Sequence, residues 1–121
     1  MLDNIKTPEE LKEQLLKIYD KSTVVPSHRA KWSKANPTYG QCVPTTLLVQ
    51  ELFGGDIYYL TANKHYYNVI DGKIIDLTKD QFDYKLDYSK ARKRNAPFKT
   101  GAMQRLAILK EKLKAPEKTT K

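Results

Sequence analysis

The sequence predicts an α+β domain in which helices pack on a small antiparallel sheet. Two segments with helical spacing of apolar residues, 8–20 and 42–53, precede three strand-like runs, and a further helical segment follows at 102–114. The chain has 121 residues, and a single core is typical of roughly 100–150 residues. We therefore expect one domain over 1–114 and a flexible basic tail over 115–121.

The first helix has a clear start signal. Thr7 can accept hydrogen bonds from the free N–H groups of a first turn, and Pro8 suits the first helical position. Glu10 stands three residues after Thr7 and completes a capping box. Apolar residues then recur at helical spacing, which predicts a helix over 8–20.

The second helix is predicted to begin at the only cysteine of the chain, Cys42. Pro44 is tolerated in a helix only in the first turn, which places the helix start close to Cys42. Gly54-Gly55 then supplies a stop signal. We expect a buried helix over 42–53 with Cys42 at its N-terminal edge.

Three runs rich in β-branched and aromatic residues come next. They predict strands at 57–60, 65–70 and 73–77. Asp71-Gly72 separates the last two runs and is a strong signal for a two-residue hairpin turn. This turn pairs Ile70 with Lys73 and so fixes the register of the hairpin.

The positive charge is concentrated at one end of the chain. Residues 1–91 hold 12 basic and 12 acidic side chains, whereas residues 92–121 hold 10 basic and 2 acidic ones. A nucleic-acid-binding protein more often carries basic residues throughout its body, interleaved with aromatic residues. The pattern favours a solvated basic face and tail over a nucleic-acid interface.

Several classes of protein are not expected. One cysteine cannot form an internal disulfide or a Cys-rich zinc site. The acidic residues do not show metal-ligand spacing, and the glycines do not form the pattern of a phosphate-binding loop. The N-terminal residues have no apolar segment of a secretory signal, and no apolar run is long enough to cross a membrane. We expect a cytoplasmic monomer or weak dimer that needs no cofactor.

Cys42, His65 and Asp76 are the candidate catalytic residues. A helix N-terminus favours a thiolate, and its free N–H groups can stabilise an oxyanion. In the predicted hairpin, Asp76 opposes Tyr67, which lies on the same face as His65, at a diagonal backbone separation of roughly 7–8 Å. A cysteine nucleophile, a histidine base and an orienting aspartate are the groups that thiol acyl transfer requires.

Structural roles are the alternative for each residue. A lone cysteine on an apolar helix is usually a small core residue, and a lone histidine in a strand is more often structural than catalytic. Asp76 can equally cap the turn that follows it. Asn68 is a candidate support for the His65 ring, but an exposed strand position is an equal alternative.

Five segments of the chain resemble the YunG family of small bacterial proteins, and this similarity covers residues 20–90. The segments are Asn36-Pro37-Thr38-Tyr39-Gly40-Gln41-Cys42, Gly54-Gly55, His65-Tyr66-Tyr67-Asn68, Asp71-Gly72 and Asp76-Leu77-Thr78-Lys79-Asp80-Gln81-Phe82. The same residues are more distantly similar to transglutaminase-like and papain-like cysteine enzymes. That second resemblance implies a papain-like or transglutaminase-like core.

The distant resemblance also implies roles for individual residues. Cys42 would be the nucleophile, His65 the base and Asp76 the orienting acid. Gln41 precedes the cysteine directly, as in transglutaminases, and would support an oxyanion, with its backbone a safer candidate than its side chain. Val43 departs from the transglutaminase pattern, in which tryptophan usually follows the cysteine.

Two classes of function follow from these observations. The first is a thiol hydrolase or acyltransferase that acts on an amide or ester, with a protein among the candidate substrates. The second is a non-catalytic interaction module that binds a protein or an anionic partner. Its binding surface would be the tyrosine-rich sheet or the basic C-terminal segment.

Overall fold

The computed structural model describes residues 4–94 and 97–114, and its layers are three helices and one four-stranded antiparallel sheet. The helices are α1 (Pro8–Ile18), α2 (Cys42–Phe53) and α3 (Thr100–Lys114), and the strands are β1 (Asp56–Leu60), β2 (His65–Ile70), β3 (Lys73–Ile75) and β4 (Arg92–Lys93). The predicted α+β class is confirmed. The predicted basic tail, 115–121, lies outside the described residues.

α1 begins with the capping box that the sequence predicts. Thr7 Oγ1 accepts a hydrogen bond of 3.1 Å from the Glu10 N–H, and Glu10 Oε1 accepts one of 3.2 Å from the Thr7 N–H. The helix ends at Ile18, two residues before the predicted end, because Tyr19 leaves the helical conformation. Its buried residues, Leu11 and Leu15, enter the main core.

The main core lies between the helices and one face of the sheet. α2 contributes Leu48 and Val49, and α3 contributes Leu106 and Leu109. All four side chains are at most 6% exposed, so the two helices bury their apolar faces against each other. α2 also packs on β2, and this contact sets the position of its N-terminus relative to the sheet.

The sheet has the strand order β3-β2-β1-β4. The hairpin between β2 and β3 has the predicted register, with Ile70 opposite Lys73. Asp71 and Gly72 have φ angles of 51° and 79°, the left-handed conformations that a tight hairpin turn requires. β4 was not predicted, because two residues with no alternating apolar pattern give no strand signal.

The predicted strand 73–77 is too long. β3 ends at Ile75, and Asp76 begins a turn in which the Lys79 N–H donates to the Asp76 carbonyl oxygen at 3.5 Å. Asp76 is therefore a residue that immediately follows the strand rather than a member of it. The Asp76 side chain is buried against His65.

A second buried cluster contains Leu60, Tyr67 and Leu86. Phe82 and Tyr88, from the segment between β3 and β4, pack against it. The Tyr67 and Tyr88 rings meet edge to face, with centroids 4.7 Å apart. This cluster holds the 82–88 segment against the start of β2.

Candidate functional site

Cys42 is the first residue of α2 and is half-buried. The first N–H donor used within the helix is that of Thr45, which donates to the Gln41 carbonyl oxygen at 3.2 Å. Pro44 has no N–H, and no side chain of the N-cap residue covers this end. The N–H groups of Cys42 and Val43 therefore have no partner within the helix and can bind a negative charge at this end.

His65 is the first residue of β2, and its side chain is only 1% exposed. Its Nε2 atom lies 2.8 Å from Asp76 Oδ2 and 2.9 Å from Asp76 Oδ1. The Asp76 side chain is 2% exposed, so the pair is shielded from water. Because the carboxylate accepts the Nε2 hydrogen, Nδ1 is the ring nitrogen that is not used by Asp76.

The pKa of His65 reflects this environment. Burial lowers the pKa, but hydrogen bonds and charge attraction to Asp76 and Cys42 outweigh burial and raise it from 6.5 to about 9. The imidazole is thus held mainly as its protonated form at pH 7.

The ring of His65 is held by two further side chains. Phe82 meets it edge-on, with ring centroids 5.0 Å apart. Gln81 Nε2 lies 3.5 Å from His65 Nδ1, and it donates to the Thr78 carbonyl oxygen at 3.1 Å. The Gly40 N–H donates to Gln81 Oε1 at 3.4 Å. Gln81 therefore links His65 to the loop that leads into Cys42.

Tyr88 holds the other side of the buried pair. Its hydroxyl donates a hydrogen bond of 2.8 Å to Asp76 Oδ2. Burial, together with the hydrogen bond to Asp76, raises the pKa of Tyr88, so the hydroxyl keeps its proton and remains a donor. Asp76 thus accepts hydrogen bonds from both His65 and Tyr88.

Sequence reasoning did not assign a role in the site to Gln81, Phe82 or Tyr88. Gln81 and Phe82 belong to the run after Asp76 that carries the family resemblance, and that run was the available signal. Tyr88 gave no signal, because it lies in an irregular segment with no periodicity. Its place beside Asp76 follows from how the 82–88 segment folds back on β2.

The Gln41 side chain is fully buried and has interior partners. Its Oε1 accepts from Thr23 Oγ1 at 2.5 Å, and its Nε2 donates to the Asp20 carbonyl oxygen at 2.9 Å. The backbone N–H of Gln41 donates to the Thr38 carbonyl oxygen at 3.1 Å. These bonds fix the loop before α2, and they engage the donors that the sequence analysis assigned to an oxyanion.

Asn68 is also buried, at 1% exposure, and lies on β2. Its Nδ2 donates to the Thr46 carbonyl oxygen of α2 at 3.0 Å. Three positions separate Asn68 from His65, so the two side chains lie on opposite faces of the strand. Asn68 ties β2 to α2, the two elements that carry His65 and Cys42.

Comparison with known proteins gives the family. A family model described as YunG protein matches residues 7–118. The chain belongs to the YunG family. It is similar to "Uncharacterized protein YunG" of Bacillus subtilis (strain 168), with 38% identity over 61 residues. The aligned region covers 49% of this chain and 53% of the relative, about half the length of each. No solved structure matches the chain.

Two further properties of this YunG-family chain concern metals and membranes. Within residues 4–94 and 97–114, no three His, Cys, Asp or Glu side chains are grouped so that they could hold a metal ion. Each helix in the same two ranges is too short or too polar to cross a bilayer.

Proposed function

We propose that this YunG-family protein is a cysteine-dependent enzyme that hydrolyses an amide or ester, or transfers its acyl group. The observation that carries the proposal is the buried contact of 2.8 Å between His65 Nε2 and Asp76 Oδ2, together with the effect of Cys42, which helps to raise the pKa of the same imidazole. Together these groups meet the needs of nucleophilic catalysis.

In the proposed reaction, Cys42 reacts as a thiolate while His65 is protonated, and the sulfur attacks the carbonyl carbon. A C–S bond forms, and the carbonyl oxygen becomes an oxyanion. The N–H groups of Cys42 and Val43 are the proposed donors to this oxygen, since neither has a partner within α2. These backbone N–H groups are proposed in place of the Gln41 side chain, because the Gln41 amide forms hydrogen bonds in the interior.

The oxyanion then collapses, and the C–N or C–O bond of the substrate breaks. His65 gives its proton to the leaving amine or alcohol, and the acyl group remains on Cys42 as a thioester. His65 next takes a proton from water or from an acceptor amine, which attacks the thioester carbon. The Cys42 thiolate is released as the product leaves, and Asp76 keeps the imidazole oriented throughout.

The arrangement also supports a papain-like or transglutaminase-like core as part of the proposal. A cysteine at a helix N-terminus, a histidine at a strand start and an aspartate after the neighbouring strand occur here in that order. The helix that carries the cysteine packs on the strand that carries the histidine.

The first test is the rate of Cys42 alkylation by iodoacetamide as a function of pH. An unperturbed thiol titrates near 8.5, whereas a thiol paired with imidazolium titrates at roughly 3.5–7.5. We expect fast labelling below pH 7, with slower labelling in His65→Ala. Labelling only after unfolding would contradict the proposal and would favour the non-catalytic interaction module.

The second test measures acyl transfer directly with p-nitrophenyl acetate. We expect a burst of p-nitrophenolate equal to the enzyme concentration and an acetyl group on Cys42 by intact mass. Cys42→Ser is the matched variant, because it keeps the size of the side chain and removes the thiol. A burst of equal size in Cys42→Ser would show that the reaction does not use Cys42.

A further inference from the structure

A cavity of about 380 Å³ opens beside the N-terminus of α2. Val43, the residue after Cys42, forms part of its wall. Three cationic side chains, Arg94, Lys99 and Arg105, also line the cavity. A site with this much positive charge next to a candidate nucleophile favours an anionic ligand over a neutral one.

Arg105 lies in the wall of the cavity. Its Nε atom is buried and has no hydrogen-bond partner among the described residues. None of the ion pairs within 4–94 and 97–114 includes Arg105 or Lys99. A buried guanidinium N–H without an acceptor is unfavourable, and an anionic oxygen is the partner that a guanidinium binds best.

The charges around Arg105 also favour an anionic ligand. Burial and the like charge of Arg29 lower the pKa of Arg105, whereas the charge of Cys42 raises it. Arg105 is therefore close enough to Arg29 and to Cys42 for both to act on its charge. An anion in the cavity would relieve the repulsion between the two arginines.

Aromatic rings hold the opposite wall in place. Arg94 Nη1 donates to the Tyr66 hydroxyl at 2.8 Å, and the Arg94 guanidinium lies 4.0 Å from the centroid of the Phe98 ring. The charge of Cys42 also acts on Tyr66. The cavity therefore combines fixed positive groups with a rigid aromatic surface near the thiol.

We infer that this cavity binds an anionic oxygen group, a carboxylate or a phosphate, on the substrate that Cys42 attacks. The inference rests on the proposed function for its use in catalysis, but the binding of the anion itself does not. Arg105 is the main contact, and Lys99 adds charge at the exposed edge. An acyl donor with a negatively charged side group is thus preferred over a neutral donor of the same size.

The experiment compares two alkylating reagents that differ in charge. Iodoacetate carries a carboxylate where iodoacetamide carries a neutral amide. The second-order rate constant for iodoacetate at Cys42 is divided by that for iodoacetamide. This ratio, divided by the same ratio for free glutathione, measures the preference for an anion. We expect Arg105→Gln to lower this ratio by about fivefold or more at low ionic strength, with the wild-type preference declining as salt is added.

Matched variants separate the anion site from general effects of charge. Arg92→Gln removes the same charge from an exposed position on β4 and is expected to leave the ratio nearly unchanged. Arg105→Lys should restore part of the preference. If Arg105→Gln does not fold, Lys99→Gln tests the same cavity from its exposed edge. An unchanged ratio, or an equal loss of rate with both reagents, would overturn the inference.

A second readout does not depend on a reactive thiol. The Nε–H signal of Arg105 in ¹⁵N spectra of Cys42→Ala is followed as succinate or inorganic phosphate is added at constant ionic strength. We expect a saturating shift, and the anion that saturates at lower concentration identifies the preferred group. No shift with either anion would overturn the inference. A shift in Cys42→Ala, together with an unreactive Cys42 in the wild type, would retain the anion site and reject the proposed function.

Discussion

The Tyr88 hydroxyl donates to Asp76 Oδ2 at 2.8 Å, and this oxygen also lies 2.8 Å from His65 Nε2. One buried carboxylate oxygen thus has two donors, one from β2 and one from the segment between β3 and β4. Tyr88 lies twelve residues after Asp76, so folding of that segment brings them together. The contact makes the 82–88 segment part of the site's support.

Tyr88→Phe removes one of these two donors and leaves the ring in place. We expect the free energy of unfolding to fall by roughly 1–3 kcal/mol, because a buried carboxylate loses a hydrogen bond. Urea denaturation at pH 7 measures the change. Tyr84→Phe is the matched control, since Tyr84 is 56% exposed and should lose little stability. Equal losses in the two variants would contradict the role given to Tyr88.

Asp76→Asn keeps the shape of the side chain and removes its charge. Burial lowers the pKa of His65, and without the Asp76 carboxylate less remains to oppose this effect. We expect the pKa of His65 to fall from about 9 toward its ordinary value of 6.5. The ring signals of His65 in an NMR pH titration give this value. Asp80→Asn is the control, because Asp80 is exposed and pairs with Lys12. If the pKa of His65 stays near 9 in Asp76→Asn, Asp76 is not the cause of the raised pKa.

Stability should also depend on pH through His65. The folded protein holds this proton up to a pKa of about 9, whereas the ordinary value is 6.5. The resulting stabilisation is complete below the lower value and is lost as the pH rises through the higher one. We expect the free energy of unfolding to decrease by up to roughly 3 kcal/mol across this window.

The measurement is a series of urea denaturation curves from pH 6 to pH 9.5. His65→Gln removes the titrating group and should show a much flatter profile over the same range. A profile of equal slope in the wild type and in His65→Gln would mean that another group is responsible.

Gly40→Ala tests the loop that leads into Cys42. Gly40 has a φ of 71°, and an added Cβ would lie 2.7 Å from Val24 Cγ1. We expect a loss of roughly 2–4 kcal/mol, from backbone strain together with the clash. Gly72→Ala is the matched control, because Gly72 has a φ of 79° but no atom within 4 Å of the added Cβ. Denaturation curves should show the larger loss of stability for Gly40→Ala. Equal losses in the two variants would show that Val24 moves away from the added Cβ without a cost in stability.

Local signals in the sequence were sufficient for most of the fold. The capping box at Thr7, the proline in the first turn of α2 and the Asp71-Gly72 turn each act over a few residues, so their effects can be predicted without tertiary contacts. The hairpin turn also fixed the register of β2 and β3. That register led to the prediction that the His65 and Asp76 side chains lie close together.

The ends of elements and the partners of buried amides needed the three-dimensional structure. β3 is shorter than predicted, because a turn begins at Asp76 and the apolar pattern of the sequence does not reveal this turn. Gln41 was assigned from its neighbour in the sequence, but its amide bonds to Thr23 and Asp20, which are distant along the chain. Asn68 likewise bonds to α2 and not to the His65 ring.

The sequence by itself determined the α+β class, the helix start at Cys42 and the hairpin that pairs β2 with β3. These depend on spacing, capping and turn residues, which are local properties of the chain. Only the tertiary structure decided that Tyr88, Gln81 and Phe82 surround the His65–Asp76 pair. It also decided that, among the described residues, the buried Arg105 Nε atom has no hydrogen-bond partner. Such contacts join segments far apart in the chain, and the packing of α2 and the 82–88 segment on the sheet sets their distances.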